Sequence, residues 1–473
     1  MASTSQSSAQ AKSEVKTVEQ FQFISIQTPD NPSDRATNHL ARSHAVKQAL
    51  EKKRKIEQES RENFRVMVPQ DKLGRFVRKR RQARAVAMSP FSLCVGTLDP
   101  FQTLAVDSPR LQTLLGDYEA RRSLEPVFNI AEQLTFQSFR TVFRTGLVDP
   151  ALLSAVMHSL SFAAAGGDIN WECLRYQGRT FNYVRQNMSS PSAATSESTI
   201  GAILLLAGVE ARLGMTSQVQ LHLGAVRRLL DICETKSVCL TSGIKRAIFW
   251  QDLNASILAG SNRIVDHTTF LELHWTRESF SPSFFQLPPG FHRRSHLLTE
   301  DFIEVLKDLN ALQCHRNTTP PITCDVMMME KINNHTASIQ SRLVGLANLS
   351  PVMSCCRLAA YLCSVMLCCK VWCAPVIPSH ISSQLLHELQ QASEDPVWNY
   401  HPELLLWLLY SGGAFAPKGV VRSDYIVLLR SNVSRFRDSY NSWPELLEIM
   451  KQFIWSDKAF MSQVKELWKD TTV

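Results

Sequence analysis

Between Ser108 and Leu467, apolar side chains recur every three or four residues, the spacing that gathers them on one face of a helix, with Pro, Gly and Ser/Thr breaks between runs. Leu111, Leu114, Leu115 and Tyr118 make the first stripe. Others follow in Phe128 to Phe143, Leu152 to Phe162, Trp171 to Met188, Ile200 to Leu213, Val219 to Ile232 and Ile244 to Leu258. After a link rich in Pro and aromatic residues, Ser279 to Pro289, the helical texture resumes near Leu298 and runs to Leu467. Strand-like alternation with hairpin signals is almost absent over this span. The chain is therefore predicted to be all-α, an irregular antiparallel helical bundle with short connections. No fixed internal period points to a repeat array. With 44% hydrophobic and 20% charged residues, the chain can fill a large core.

Upstream of this body the texture differs. Residues 1–20 are polar and rich in Ser, Gln, Ala and Lys, and read as a disordered tail, because nothing there offsets the entropy of ordering. Residues 21–88 read as an extended segment followed by a basic helical arm. Phe21 to Ile26 alternates briefly and Pro29 and Pro32 end it; Ser33 or Asp34 can cap a helix over about 35–61. That helix has only a thin apolar stripe of Leu40, Val46, Leu50 and Ile56. Residues 89–473 form the third predicted division, the helical body.

Charge sharpens the division. The chain carries a net +8, and the window from Arg42 to Arg84 alone holds 15 Lys and Arg against 5 Asp and Glu. The rest is close to neutral, so a polyanionic partner is expected at the arm and not across the whole surface. Two compact clusters stand out, Lys52, Lys53, Arg54 and Lys55, then Arg78, Lys79, Arg80 and Arg81. Such clusters suit the acidic groove of an import receptor or nucleic-acid phosphates. A basic zipper is excluded, because Ala85 to Phe91 breaks the helix where a heptad seam would have to follow.

Twelve Cys without a secretory leader argue for a reducing compartment. The most apolar stretch, Leu358 to Cys369, is too short for a membrane span. Cys355, Cys356, Cys363, Cys368, Cys369 and Cys373 lack the paired spacing of a zinc site and are expected to pack in the core. The pairs Cys233 and Cys239, and Cys314 and Cys324, likewise have no nearby His pair. Nucleophile elbows, Ser-x-x-Lys, His-Glu-x-x-His and phosphate-binding Gly loops are absent from the sequence, so no catalytic, cofactor or metal residues are assigned. His158 and His222 are expected to be hydrogen-bonded core or boundary histidines. Gly166-Gly167-Asp168 is expected to be a turn in which Gly closes one helix and Asp168 caps the next.

Three stretches carry a resemblance. Phe21-Gln-Phe-Ile-Ser-Ile, its Pro turn and Ala41-Arg-Ser-His-Ala-Val-Lys47 resemble the opening of fungal-specific transcription-factor-like proteins. Leu98-Asp-Pro-Phe-Gln-Thr-Leu-Ala-Val106 is similar to that family's entry into its helical regulatory domain, and Leu221-His-Leu-Gly-Ala-Val-Arg-Arg-Leu-Leu230 to an interior helix. The resemblance covers about residues 21–280 and implies a regulator of RNA-polymerase-II transcription in the nucleus, often of metabolic genes. Members often carry a binuclear zinc cluster of six Cys before the opening motif. Here the first Cys is Cys94, so zinc-held DNA recognition is not expected from these residues.

The sequence therefore reads as a nuclear transcription regulator with a basic arm and a helical body. Its expected partners are an import receptor, other transcription regulators, DNA through the arm, and a small-molecule effector; no membrane is expected. It is not expected to be an enzyme. The alternatives are a DNA-binding protein that uses the arm alone, and a helical enzyme whose site is assembled from distant segments.

Overall fold

The computed structural model describes residues 108–117, 149–318, 326–367, 376–437 and 439–472, all within the compact unit Ala85–Val473. The tail, the arm with both basic clusters, the Phe128 to Phe143 stripe, and Cys324, Cys368, Cys369 and Cys373 lie outside the described residues. Among the described residues there are α-helices and short 3-10 turns and no strand, so the fold is all-α.

Among the described residues, seven helices build the first half: α1 (Ser108–Gly116), α2 (Pro150–Ala164), α3 (Trp171–Asn187), α4 (Pro191–Ala194), α5 (Glu197–Arg212), α6 (Thr216–Thr235) and α7 (Ser242–Ala259). Their starts follow local chemistry. Asp149 accepts bonds from the Ala151 and Leu152 amides at 2.8 and 3.0 Å, with Pro150 at the first helical position, where its missing N–H costs nothing. Ser196 caps α5 through the Thr199 amide, and Thr241 caps α7 through that of Ile244. The turn after α2 uses Gly166 and Gly167 at φ 72° and 93°, conformations that suit glycine. The next cap is Asn170, which accepts the Cys173 amide at 2.9 Å, in place of the expected Asp168. Asp168 lies two residues too early to reach the first turn of α3.

Helix α5 forms the centre of this half. It is apolar all round, and a helix of that kind must be enclosed. Residues Ser198 to Ala211 are all buried, with α2, α3, α6 and α7 packed around them. Each fully buried Leu or Ile there contributes about 1.5–3 kcal/mol relative to exposure.

A connection over 260–299 follows, longer than the expected link, with 3-10 turns at Leu271–Leu273, Arg277–Ser279, Pro282–Phe284 and Ser295–Leu297 and the short α8 (Pro289–His292). The second half comprises α9 (Glu300–Thr318), α10 (Val326–Gly345), α11 (Pro351–Leu367), α12 (Val376–Gln391), α13 (Val397–Tyr400), α14 (Pro402–Phe415), α15 (Val420–Ser431), α16 (Val433–Phe436), α17 (Trp443–Met450) and α18 (Met461–Thr472). Here α14 takes the central place. Leu404 to Phe415 are all buried, against α11, α12, α15 and α18. Cys355, Cys356 and Cys363 lie in this core, where burial pushes their thiols up, to about 12 for Cys355 and Cys363. They pack as small apolar side chains. No helix among the described residues is long and apolar enough to cross a membrane.

Candidate functional site

The connection over 260–299 crosses the surface where α7, α9 and α10 meet, and it is held there by charge. Arg246 of α7 is fully buried, and its guanidinium donates to Asn333 Oδ1 at 3.0 Å, Asn334 Oδ1 at 2.6 Å, Glu330 Oε1 at 3.0 Å and the Glu272 carbonyl. Asn334 in turn donates to the carbonyls of Glu272 and His274, both at 3.1 Å. Burial lowers the Arg246 pKa, while Glu330 and Glu272 oppose that shift. A planar fork with several fixed donors suits a site of this kind, where one side chain ties two helices to a loop.

A second anchor lies beside it. Asp308 of α9 is buried and accepts Arg277 Nε at 2.8 Å and Arg342 Nη2. Arg277 also reaches Glu304 at 2.8 Å and lies over the Phe285 ring, 5.1 Å from its centroid. Near the start of the connection, Asp252 accepts Arg263 Nε at 2.5 Å and the amides of Ile264 and Val265.

Between these anchors sits an aromatic cluster around His335 of α10, which has no exposed surface. Trp275 stacks on it, and Phe280 and Phe285 tilt against it at 5.1 and 6.4 Å. His315 meets the edge of Phe280 at 5.3 Å. Neither ring nitrogen of His335, nor the Trp275 indole nitrogen, has a hydrogen-bond partner of normal geometry. Buried polar atoms are rarely left so, and three of those among the described residues gather in this one aromatic cluster. Burial holds the His335 pKa well below the ordinary histidine value, with the positive charges of Arg342, His315 and Arg277 adding to the effect; the Asp308 backbone opposes it. Neutral His335 can offer one donor and one acceptor. Protonation there would place a third cation beside two guanidinium groups.

Among the described residues, no group of three His, Cys, Asp or Glu side chains is placed to hold a metal ion. His158 is buried, with Nδ1 3.1 Å from the Cys173 carbonyl, as expected of a core histidine, and burial holds its pKa at about 4. His222 lies at the boundary, with Nε2 3.3 Å from Glu210 Oε1 and its ring stacked on Phe181. The basic residues Lys52 to Lys55 and Arg78 to Arg81 lie outside the described residues.

The Trp275–His335 cluster is not among the residues that motif and spacing single out. A signal was present in Trp275, Phe280, Phe284 and Phe285, crowded into a connection where polar residues are the rule. Its partner on α10 is 60 residues downstream, and spacing alone does not join the two. Comparison of the chain with protein-family models, with curated proteins and with solved structures finds no match.

Proposed function

We propose that the chain is a nuclear regulator of RNA-polymerase-II transcription, in which a basic arm at residues 42–84 serves nuclear import and a helical body engages partner proteins. The observation that carries this reading is the segregation of charge. The arm holds 15 cations against 5 anions, while the remainder is close to electrical balance. Buried guanidinium groups of the body support the contrast, since each is engaged internally: Arg246 with Glu330, Arg294 with Glu403 and Arg422 with Asp470.

A second reading is favoured by one stretch. Arg75 to Arg84 carries six cations and no carboxylate, enough to contact DNA phosphates with little base readout. Both readings place the polyanion or receptor at the arm.

The test is localisation of the full chain fused to a fluorescent protein. Replacing Lys52 to Lys55 and Arg78 to Arg81 by Gln should abolish nuclear accumulation, and replacing either cluster alone should weaken it. Unchanged nuclear signal in the doubly substituted chain removes the main support for the proposal.

A further inference from the structure

Helix α3 turns Cys173, Tyr176 and Thr180 inward, and its outward half carries an ordered pattern. Trp171, Gly178 and Arg185 recur at seven-residue spacing, and Leu174, Phe181 and Met188 recur at the same spacing three residues on. That is the a/d register of a seam between two helices. Here it faces solvent: Trp171 is 80% exposed, Leu174 47%, Met188 40% and Phe181 36%. A Cβ built at Gly178 would meet nothing within 4 Å, so the middle of the seam is open to a partner's side chain. The surface continues onto α6, where Leu221 is 72% exposed beside the His222 ring that stacks on Phe181. From Trp171 to Met188 the seam is about 25 Å long, at ~1.5 Å per residue.

Charge selects the occupant. Arg175, Arg179 and Arg185 flank or enter the seam, and none has an ion-pair partner among the described residues. The single carboxylate of the helix, Glu172, is taken by Arg110 through two bonds of 2.7 and 2.6 Å. A second copy of the chain would bring the same cations against themselves, which like-charge repulsion disfavours. The adjoining residues 118–148 carry four Arg against three Glu and offer no complementary field. We propose that the α3 seam is the docking surface for an acidic amphipathic helix of another protein, with apolar residues at heptad spacing and carboxylates along its flanks. Trp and Arg side chains are among those that most often dominate the energetics of such interfaces. This inference stands on α3 and α6 alone and holds whether or not the arm directs import.

The full chain is titrated, by fluorescence anisotropy, with a labelled synthetic helix of about three heptads bearing Leu at a and d and Glu at the flanking e and g positions. The same helix with Lys for Glu is the control. The Glu peptide should bind at least ~10-fold tighter than the Lys peptide, with the gap closing as salt rises. Phe181→Ala should weaken the Glu peptide roughly 10-fold, and Arg175→Glu with Arg179→Glu should reverse the order of the two peptides. These residues lie at the surface, so the fold should survive the changes. Equal binding of both peptides, or an order that charge reversal leaves unchanged, overturns the proposal. Photo-cross-linking from p-benzoylphenylalanine in place of Gly178 identifies the occupant. Capture of the Glu peptide supports an acidic partner; capture of residues 118–148 or of a second copy in its presence overturns it.

Discussion

The indole of Trp275 lies face to face with the imidazole of His335, with ring centroids 4.0 Å apart and planes 5° from parallel. Burial first, and then the charges of Arg342, His315 and Arg277, favour the neutral form of His335 in this stack. The folded-state pKa lies below the unfolded value of about 6.5, so the unfolded chain binds the extra proton first as pH falls. Stability from this group is complete above about pH 6.5 and is lost below it. His158, held at about 4, contributes in the same direction, up to about 3 kcal/mol over the same interval. Urea midpoints followed by Trp fluorescence should therefore drop between about pH 7.5 and about pH 5. His335→Phe keeps a flat ring and should visibly flatten that dependence. An identical pH profile in the variant would show that His335 is not one of the groups responsible.

Helix α14 approaches α15 at Gly412 and Gly413. A Cβ at Gly412 would fall 2.5 Å from Tyr425 Cζ and 2.7 Å from its Cε1. Tyr425 cannot swing away freely, because it is fully buried and its hydroxyl donates to the Ser382 carbonyl at 2.8 Å. Ser382 closes the loop by donating to the Gly412 carbonyl at 2.9 Å. Alanine gains about 1 kcal/mol in helix propensity, but overpacking of this severity costs more. Gly412→Ala should destabilise by about 2 kcal/mol or more net, read as a lowered denaturation midpoint. In a Tyr425→Leu background the same change should cost distinctly less, since the obstructing ring is gone.

These contacts mark what the sequence could and could not convey. The helical body was legible because its stripes are local: the Leu152 to Phe162 and Ile200 to Leu213 runs became α2 and α5 with little displacement. The Gly166-Gly167 turn was legible because only glycine suits its positive φ. The cap after it was not, since Asp168 and Asn170 are both good caps and the helix start that decides between them is set by Cys173 packing inward. The Trp171 to Met188 stripe has the same helical spacing as the others, yet Trp171, Leu174 and Phe181 face outward. Periodicity finds a face without saying what covers it. The pairing of Trp275 with His335 depends on how α10 folds back on the connection, and no local signal encodes that.

Arg246 tests how firmly the two halves are joined. Four oxygen acceptors from α10 and the connection converge on its guanidinium. Arg246→Ala would leave Asn333, Asn334 and Glu330 without their cation, and removing one member of a buried charged network typically costs about 3–5 kcal/mol. Arg246→Lys retains the charge but not the fork, so it should recover only part of that loss. Chemical denaturation of the two variants against the parent checks the order. Equal stability of parent and Arg246→Ala would mean that the anchor adds nothing to the fold.

Whether the arm also meets nucleic acid is decided by salt. If five or six of the cations in Lys52 to Lys55 and Arg78 to Arg81 contact DNA phosphates, the logarithm of affinity should fall against that of salt with a slope of about −5. Replacing Arg78, Lys79, Arg80 and Arg81 by Gln should cut that slope to about −2 and weaken all DNA sequences alike, because phosphate contacts carry no base information. Gel shifts of the full chain on unrelated duplexes across a salt series measure both quantities. A slope that the substitutions leave unchanged would move the DNA contact away from Arg78 to Arg81, and no shift at the lowest salt would remove the DNA-binding reading of the arm.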